Sequence, residues 1–184
     1  MIYPVYTYGT KVLREKTKNI DKDFKGLEEL INDMFSTMHT ADGVGLAAPQ
    51  IGKSLRLFVV DATPLAKENP EMEDFKMEFI NPVITERSGE VKVYTEGCLS
   101  LPGISEDVKR ENEIVISYMD KDFNKKEEKY TGVKARILQH EYDHLEGILF
   151  VDRLNVLKKK MLKSRLNNII KGKVDIKYKA KFAK

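Results

Sequence analysis

The chain has 184 residues, 41% hydrophobic and 33% charged, with a formal net charge of +3. That length and mix fit one compact domain with a moderate core, and no stretch approaches the roughly 18 uninterrupted apolar residues a membrane-spanning helix needs. The opening segment has no cationic run followed by an apolar one, and Glu15 and Asp21 fit poorly with a transit peptide, so the cytoplasm is the expected compartment. The single cysteine, Cys98, excludes an intrachain disulfide.

The net charge hides an asymmetry. Residues 155–184 hold eleven Lys or Arg against one acid, Asp175, a net +10; the other 154 hold 21 basic and 28 acidic side chains, a net −7. An acidic body with a basic end suggests an end that meets a polyanion, the alternative being a merely solvated tail.

In chain order, residues 26–38 read as an amphipathic helix, with Leu27, Leu30, Ile31, Met34, Phe35 and Met38 at helical spacing. A glycine-punctuated loop follows at 42–46, then a short β-rich run at 56–61. Residues 62–76, with two prolines and several acids, read as an exposed excursion. Strands are expected at 79–85, 89–95 and 113–119, with 127–130 pairing back across a turn begun by Asp120-Lys121-Asp122. Thr131 is placed to cap a helix over 132–146 that Gly147 would stop. After the apolar run 148–151, a last helix spans 156–170. Its stripe would be Leu157, Met161, Leu162, Leu166 and Ile169, opposite Lys158, Lys159, Lys160, Lys163 and Arg165. No internal repeat or low-complexity linker interrupts this order. The expectation is an α+β fold: mixed or antiparallel strands around a central helix, with a C-terminal amphipathic helix.

Chemistry concentrates in His140-Glu141-Tyr142-Asp143-His144. Two histidines four apart on a helix share a face and can grip one metal ion, while the glutamate beside them can act as general base on a water at that ion. The alternative is a charged helix with solvated histidines, yet two of the chain's three histidines fall in this pattern. A catalytic site of this kind needs a third protein ligand and an open position. The long zinc-protease pattern would put a third histidine where Phe150 stands, and phenylalanine cannot ligate. The remaining candidates are a downstream carboxylate (chiefly Asp152 or Asp175), His39, which ends the first helix, and Cys98, between a strand and a Pro-Gly turn. A thiolate with two imidazoles suits a divalent transition metal in tetrahedral geometry. Three readings follow: a metal-dependent hydrolase with an open site, a zinc peptidase cutting internal bonds, and a binding module with a structural metal.

Three separated segments resemble the signature motifs of the peptide deformylase family: Gly43-Val44-Gly45-Leu46-Ala47-Ala48-Pro49-Gln50, Glu96-Gly97-Cys98-Leu99-Ser100, and residues 139–147 around His140 and His144. Tyr8-Gly9 and Val12-Leu13-Arg14 match the family's opening, and the likeness covers residues 1–155. The resemblance implies a catalytic domain over 1–155 with a basic helix and tail over 156–184. It implies hydrolysis of the formyl amide on N-formyl-methionyl nascent peptides, releasing formate. Cys98, His140 and His144 would hold one divalent ion, ferrous iron in the cell, with zinc, nickel or cobalt able to replace it. Glu141 would be the general base, and the Gln50 side-chain amide and the Leu99 backbone N–H the oxyanion donors. Gly45 would align the peptide backbone, and Val44, Tyr94, Val133 and Ile137 would line the methionine pocket. Tyr94 is bulkier and more polar than the aliphatic residue expected there. Glu96 would pair with Arg110. A monomer is expected, docking on the ribosome through the basic C-terminal helix.

Overall fold

A computed structural model describes residues 1–183. The architecture mixes three helices with an antiparallel sheet: α1 (Leu27–Thr40), α2 (Gly132–Leu145) and α3 (Val156–Ile170). The sheet strands are β2 (Gly45–Ala47), β3 (Leu57–Asp61), β4 (Lys76–Gly97), β5 (Ser105–Met119) and β6 (Lys125–Thr131), hydrogen-bonded in that order. A separate two-stranded sheet joins β1 (Val5–Tyr6) in parallel to β7 (Ala180–Lys181), so the two ends of the chain meet.

All five residues of β3 are buried, and the reason is that helices cover both its faces. Leu57 and Val59 pack with Leu30, Ile31, Met34 and Met38 of α1. Phe58 and Val60, pointing the other way, pack with Ala135, Ile137 and Leu138 of α2. The period of two along β3 meets the 3.6-residue period of each helix, and α2 is held against the sheet's inner face. Phe79 of β4 stacks on Phe58 with ring centroids 4.7 Å apart and meets Tyr118 at 4.5 Å, filling the layer under α2. A third cluster lies elsewhere: Leu162, Leu166 and Ile169 of α3 cover Leu101, Ile104, Val108, Leu149 and Phe150, with Cys98 at its edge.

Several expectations need correcting. The two strands at 79–85 and 89–95 are one strand, β4, of 22 residues. Gly89 does not turn the chain back; it takes φ +77° at one of three register shifts, where β4 bulges and continues against β5. β5 starts at Ser105, well before the expected 113; its first half is mostly charged, with only Val108 and Arg110 buried there, so no apolar alternation marks it as a strand. The glycine loop at 42–46 ends in β2, whose three residues are buried. The excursion at 62–76 is not wholly exposed: Ala62, Met72 and Phe75 are buried in the α2-side core. The α3 stripe is narrower than its spacing suggests. Leu162, Leu166 and Ile169 are buried, but Leu157 and Met161 are 67% and 72% exposed beside Val156. Thr131 sits at the N-terminus of α2 without making a capping hydrogen bond, whereas Asn155 accepts one from the Lys158 N–H at the start of α3.

Candidate active site

β2, the end of β4 and α2 converge on a cleft of about 820 Å³. Val44, Gly45, Gln50, Tyr94, Cys98, Leu99, Val133, Ile137, His140 and Glu141 all line it. His144, one helical turn beyond His140, is buried behind them with its Nε2 3.3 Å from Cys98 Sγ. The two imidazoles stand edge to face at 5.2 Å between centroids. Donor atoms of Cys98, His140 and His144 all lie within 4.8 Å of one another, and among the described residues no further His, Cys or carboxylate joins the trio. Phe150 does not reach it as a donor; its ring instead stacks against His140 at 6.1 Å. His39 is elsewhere, its Nε2 2.9 Å from Asp61 Oδ2 at the end of β3.

Each functional side chain is held from behind. His140 Nδ1 lies 2.9 Å from Glu96 Oε2, which turns the other ring nitrogen toward the trio. Glu96 also accepts from Arg110 at 2.7 and 2.8 Å and from Arg136 at 2.8 Å. Burial pushes the Glu96 carboxyl up, but the Arg110 hydrogen bonds and His140 hold it well below the usual carboxylate range. Arg110 reaches on to Asp143 Oδ2 at 2.6 Å, and Arg153 closes the chain with bonds of 2.6 and 2.5 Å to Asp143. Glu96, Arg110 and Asp143 are buried, so each charge must find its partner inside the protein.

Two groups are exceptions: His144, whose Nδ1 has no hydrogen-bond partner among the described residues, and Glu141. The Glu141 carboxyl is buried, and Oε2 has no hydrogen-bond partner among the described residues. Burial is the largest influence on it and pushes its pKa up to about 7. Gly45 makes room for it, since a Cβ at that position would lie 2.7 Å from Glu141 Cδ. His144 is pulled well below the ordinary histidine value, chiefly by burial and then by His140, which keeps it neutral and able to donate a lone pair. Gln50 is oriented by its neighbours: Oε1 accepts from the Ala47 N–H at 2.8 Å, so Nε2 faces Ser100 Oγ at 3.2 Å and Cys98 Sγ at 3.5 Å. Tyr94 lies under the Arg136 guanidinium, 4.9 Å from its ring centroid, which uses one face of the ring and leaves the side chain at the cleft wall.

Sequence reasoning missed the Asp143 bridge, the Glu96–His140 contact and Arg136. Asp143 sits three residues after His140, on the same helical face, and a carboxylate there was a readable sign of buried pairing. It also missed the tail: Asp175, Ile176, Lys177 and Tyr178 form part of the cleft wall.

The family model for polypeptide deformylase matches residues 2–160. The chain belongs to this family. The peptide deformylase of Christiangramia forsetii is 50% identical over 189 residues, spanning 99% of this chain and 96% of that protein. Among solved structures, the peptide deformylase of Thermus thermophilus superposes with a TM-score of 0.80 at 41% identity, covering 91% of this chain and 96% of that one. That of Legionella pneumophila gives 0.81 at 37% identity, covering 94% and 98%. The chain is therefore a hydrolase that removes the formyl group from the N-terminal formyl-methionine of newly synthesised proteins. No helix among the described residues is long and apolar enough to cross a membrane.

Proposed function

We propose that this cleft carries out the deformylation, with Glu141 as general base and Gln50 and Leu99 as oxyanion donors. The observation that carries the reading is an unpaired, buried Glu141 carboxylate beside a Cys–His–His trio at the floor of a peptide-sized cleft. The donor set fits a transition-metal ion: a soft thiolate, one neutral imidazole, and a second imidazole fixed through its far nitrogen by Glu96. Cys98, His140 and His144 would hold a single divalent ion, ferrous iron in the cell by likeness to the family, with zinc, nickel or cobalt accepted by the same donors. When bound, such an ion polarises the formyl oxygen and eases deprotonation of water.

The rest falls to the chain's own residues. Glu141, with a pKa near neutrality, takes the proton of the attacking water and returns it to the amine that leaves. The Gln50 Nε2–H and Leu99 N–H receive the oxyanion of the tetrahedral carbon. The backbone of Gly45, which approaches closely for want of a side chain, aligns the peptide. Val44, Tyr94, Val133 and Ile137 receive the methionine side chain, Tyr94 narrowing the pocket relative to an aliphatic residue. In this reading residues 1–155 form the catalytic domain and 156–184 a basic helix and tail, on a cytoplasmic monomer. The basic face of α3 docks on ribosomal RNA. The reading is tested by measuring formate release from a formyl-Met peptide beside its unformylated twin. Formate with an intact peptide chain is expected; cleavage of internal bonds in both substrates would overturn it.

A further inference from the structure

The carbonyl groups of four successive residues at the metal-cysteine loop are all tied down. The Cys98 carbonyl accepts from the Leu101 N–H at 2.9 Å, Ser100 from the Tyr8 N–H at 2.8 Å, and Leu101 from the Ile104 N–H at 3.1 Å. The Leu99 carbonyl is the one served by a side chain: the Tyr178 hydroxyl donates to it at 2.7 Å across 79 residues of sequence. Among the described residues, no hydrogen bond engages the Leu99 N–H itself. The two ends of the chain thus hold this loop together. β7 pairs with β1, through Val5 N–H to the Lys179 carbonyl at 2.8 Å and Thr7 N–H to the Lys181 carbonyl at 3.0 Å. Tyr178 precedes that pairing directly, and Tyr8 follows it. Along the tail Val174, Ile176, Tyr178 and Ala180 are half-buried while Asp175, Lys177 and Lys179 are exposed, so its inward face is settled by a period of two.

We infer that Tyr178 is a positioning residue for the reaction: its hydroxyl anchors the Leu99 carbonyl and so fixes the direction in which the Leu99 N–H meets the developing oxyanion. The inference rests on the proposed role of the Leu99 N–H. Burial, with the nearby Cys98 second, lifts the Tyr178 phenol to about 12, so the hydroxyl keeps its proton and stays a donor. An oxyanion donor works because it is held in place before charge develops, and a donor free to swing loses that benefit in the transition state more than in substrate binding.

The test is Tyr178→Phe, which keeps the ring and removes only the donor, assayed as metal-loaded full-length protein on a short formyl-Met peptide. Melting temperature, bound metal and the Leu99 amide resonance in an ¹⁵N spectrum are read alongside. The expected result is a fall of about 5- to 30-fold in kcat with KM within about twofold, a displaced Leu99 amide signal, and unchanged metal content; this is a fraction of the ~10²–10³-fold from deleting a donor outright. Gln50→Ala is measured in parallel. A silent Tyr178→Phe beside an impaired Gln50→Ala would overturn the role of Tyr178 and leave the oxyanion reading standing. If both were silent, the oxyanion reading would fail and take the Tyr178 role with it. A fall in melting temperature and metal content together, with kcat per bound metal unchanged, would reduce Tyr178 to a fold contact and overturn the inference.

Discussion

α2 and α3 are nearly the same length, 14 and 15 residues, and both are rich in ionisable side chains, yet they use them in opposite ways. On α2, Arg136, Glu141, Asp143 and His144 are buried, and Arg136 and Asp143 find partners on β4, β5 or the turn after the helix. On α3, Lys159, Lys160 and Lys163 face water, while Lys158 is half-buried and pairs with Glu106 at 2.6 Å. A buried charge must be matched and therefore fixes geometry; an exposed one costs little to move and fixes almost nothing. Glu141 shows why the distinction matters for catalysis. It is surrounded by satisfied charges and is itself left unsatisfied, so its proton affinity remains available for work.

That contrast can be broken from either side. The largest effect is expected at the unsatisfied group: Glu141→Gln should cut kcat by about 10²–10⁴-fold while elemental analysis finds the metal still bound. Near-full activity in that variant would remove Glu141 from its role. Gln50→Ala should lower kcat by about 10²–10³-fold with little change in KM, the pattern for an interaction made in the transition state. Replacing the carboxylate behind His140, Glu96→Gln, should weaken metal affinity by about 10–100-fold in a chelator competition, because the imidazole loses its orienting acceptor. It should also lower the melting temperature, since Arg110 and Arg136 lose the charge they were buried against. The smallest intrinsic effect belongs to α3. Changing Lys158, Lys159, Lys160, Lys163 and Arg165 to Gln should leave activity on a short formyl peptide within about twofold. Co-sedimentation with ribosomes should be lost, as should its steep dependence on salt. Unchanged co-sedimentation at low salt would leave the α3 lysines as a solvated surface.

The same contrast explains what could be read from the chain alone. α1 and α2 were legible because their apolar residues and histidines recur at helical spacing, and β3 because a short apolar run with β-branched residues has few other readings. The first half of β5 was not legible, since Arg110 there looks like a surface residue until its two carboxylate partners are brought in from β4 and α2. The α3 stripe was read too wide because periodicity reports which residues share a face, while burial depends on how far the surface beneath extends; it ends before Leu157 and Met161. By residue type Cys98 was one of three candidates for third donor; the resemblance singled it out, and the approach of the β4 end to α2 puts it, and not His39, Asp152 or Asp175, beside His140 and His144. The tail's part in the cleft wall escaped notice because its alternation is carried by only a few residues among lysines.

The closure of β1 on β7 also has a consequence for the order in which the enzyme is made. Thr7 and Lys181 lie 174 residues apart, so their contact cannot form until Lys181 has been made, long after the other motifs. The three catalytic motifs are all translated by residue 147, yet the Leu99 carbonyl has no partner until Tyr178 has emerged and the ends have zipped together. Assembly of the loop thus waits for residues 178–181, and joining two such distant segments is the slow, entropically costly kind of folding step.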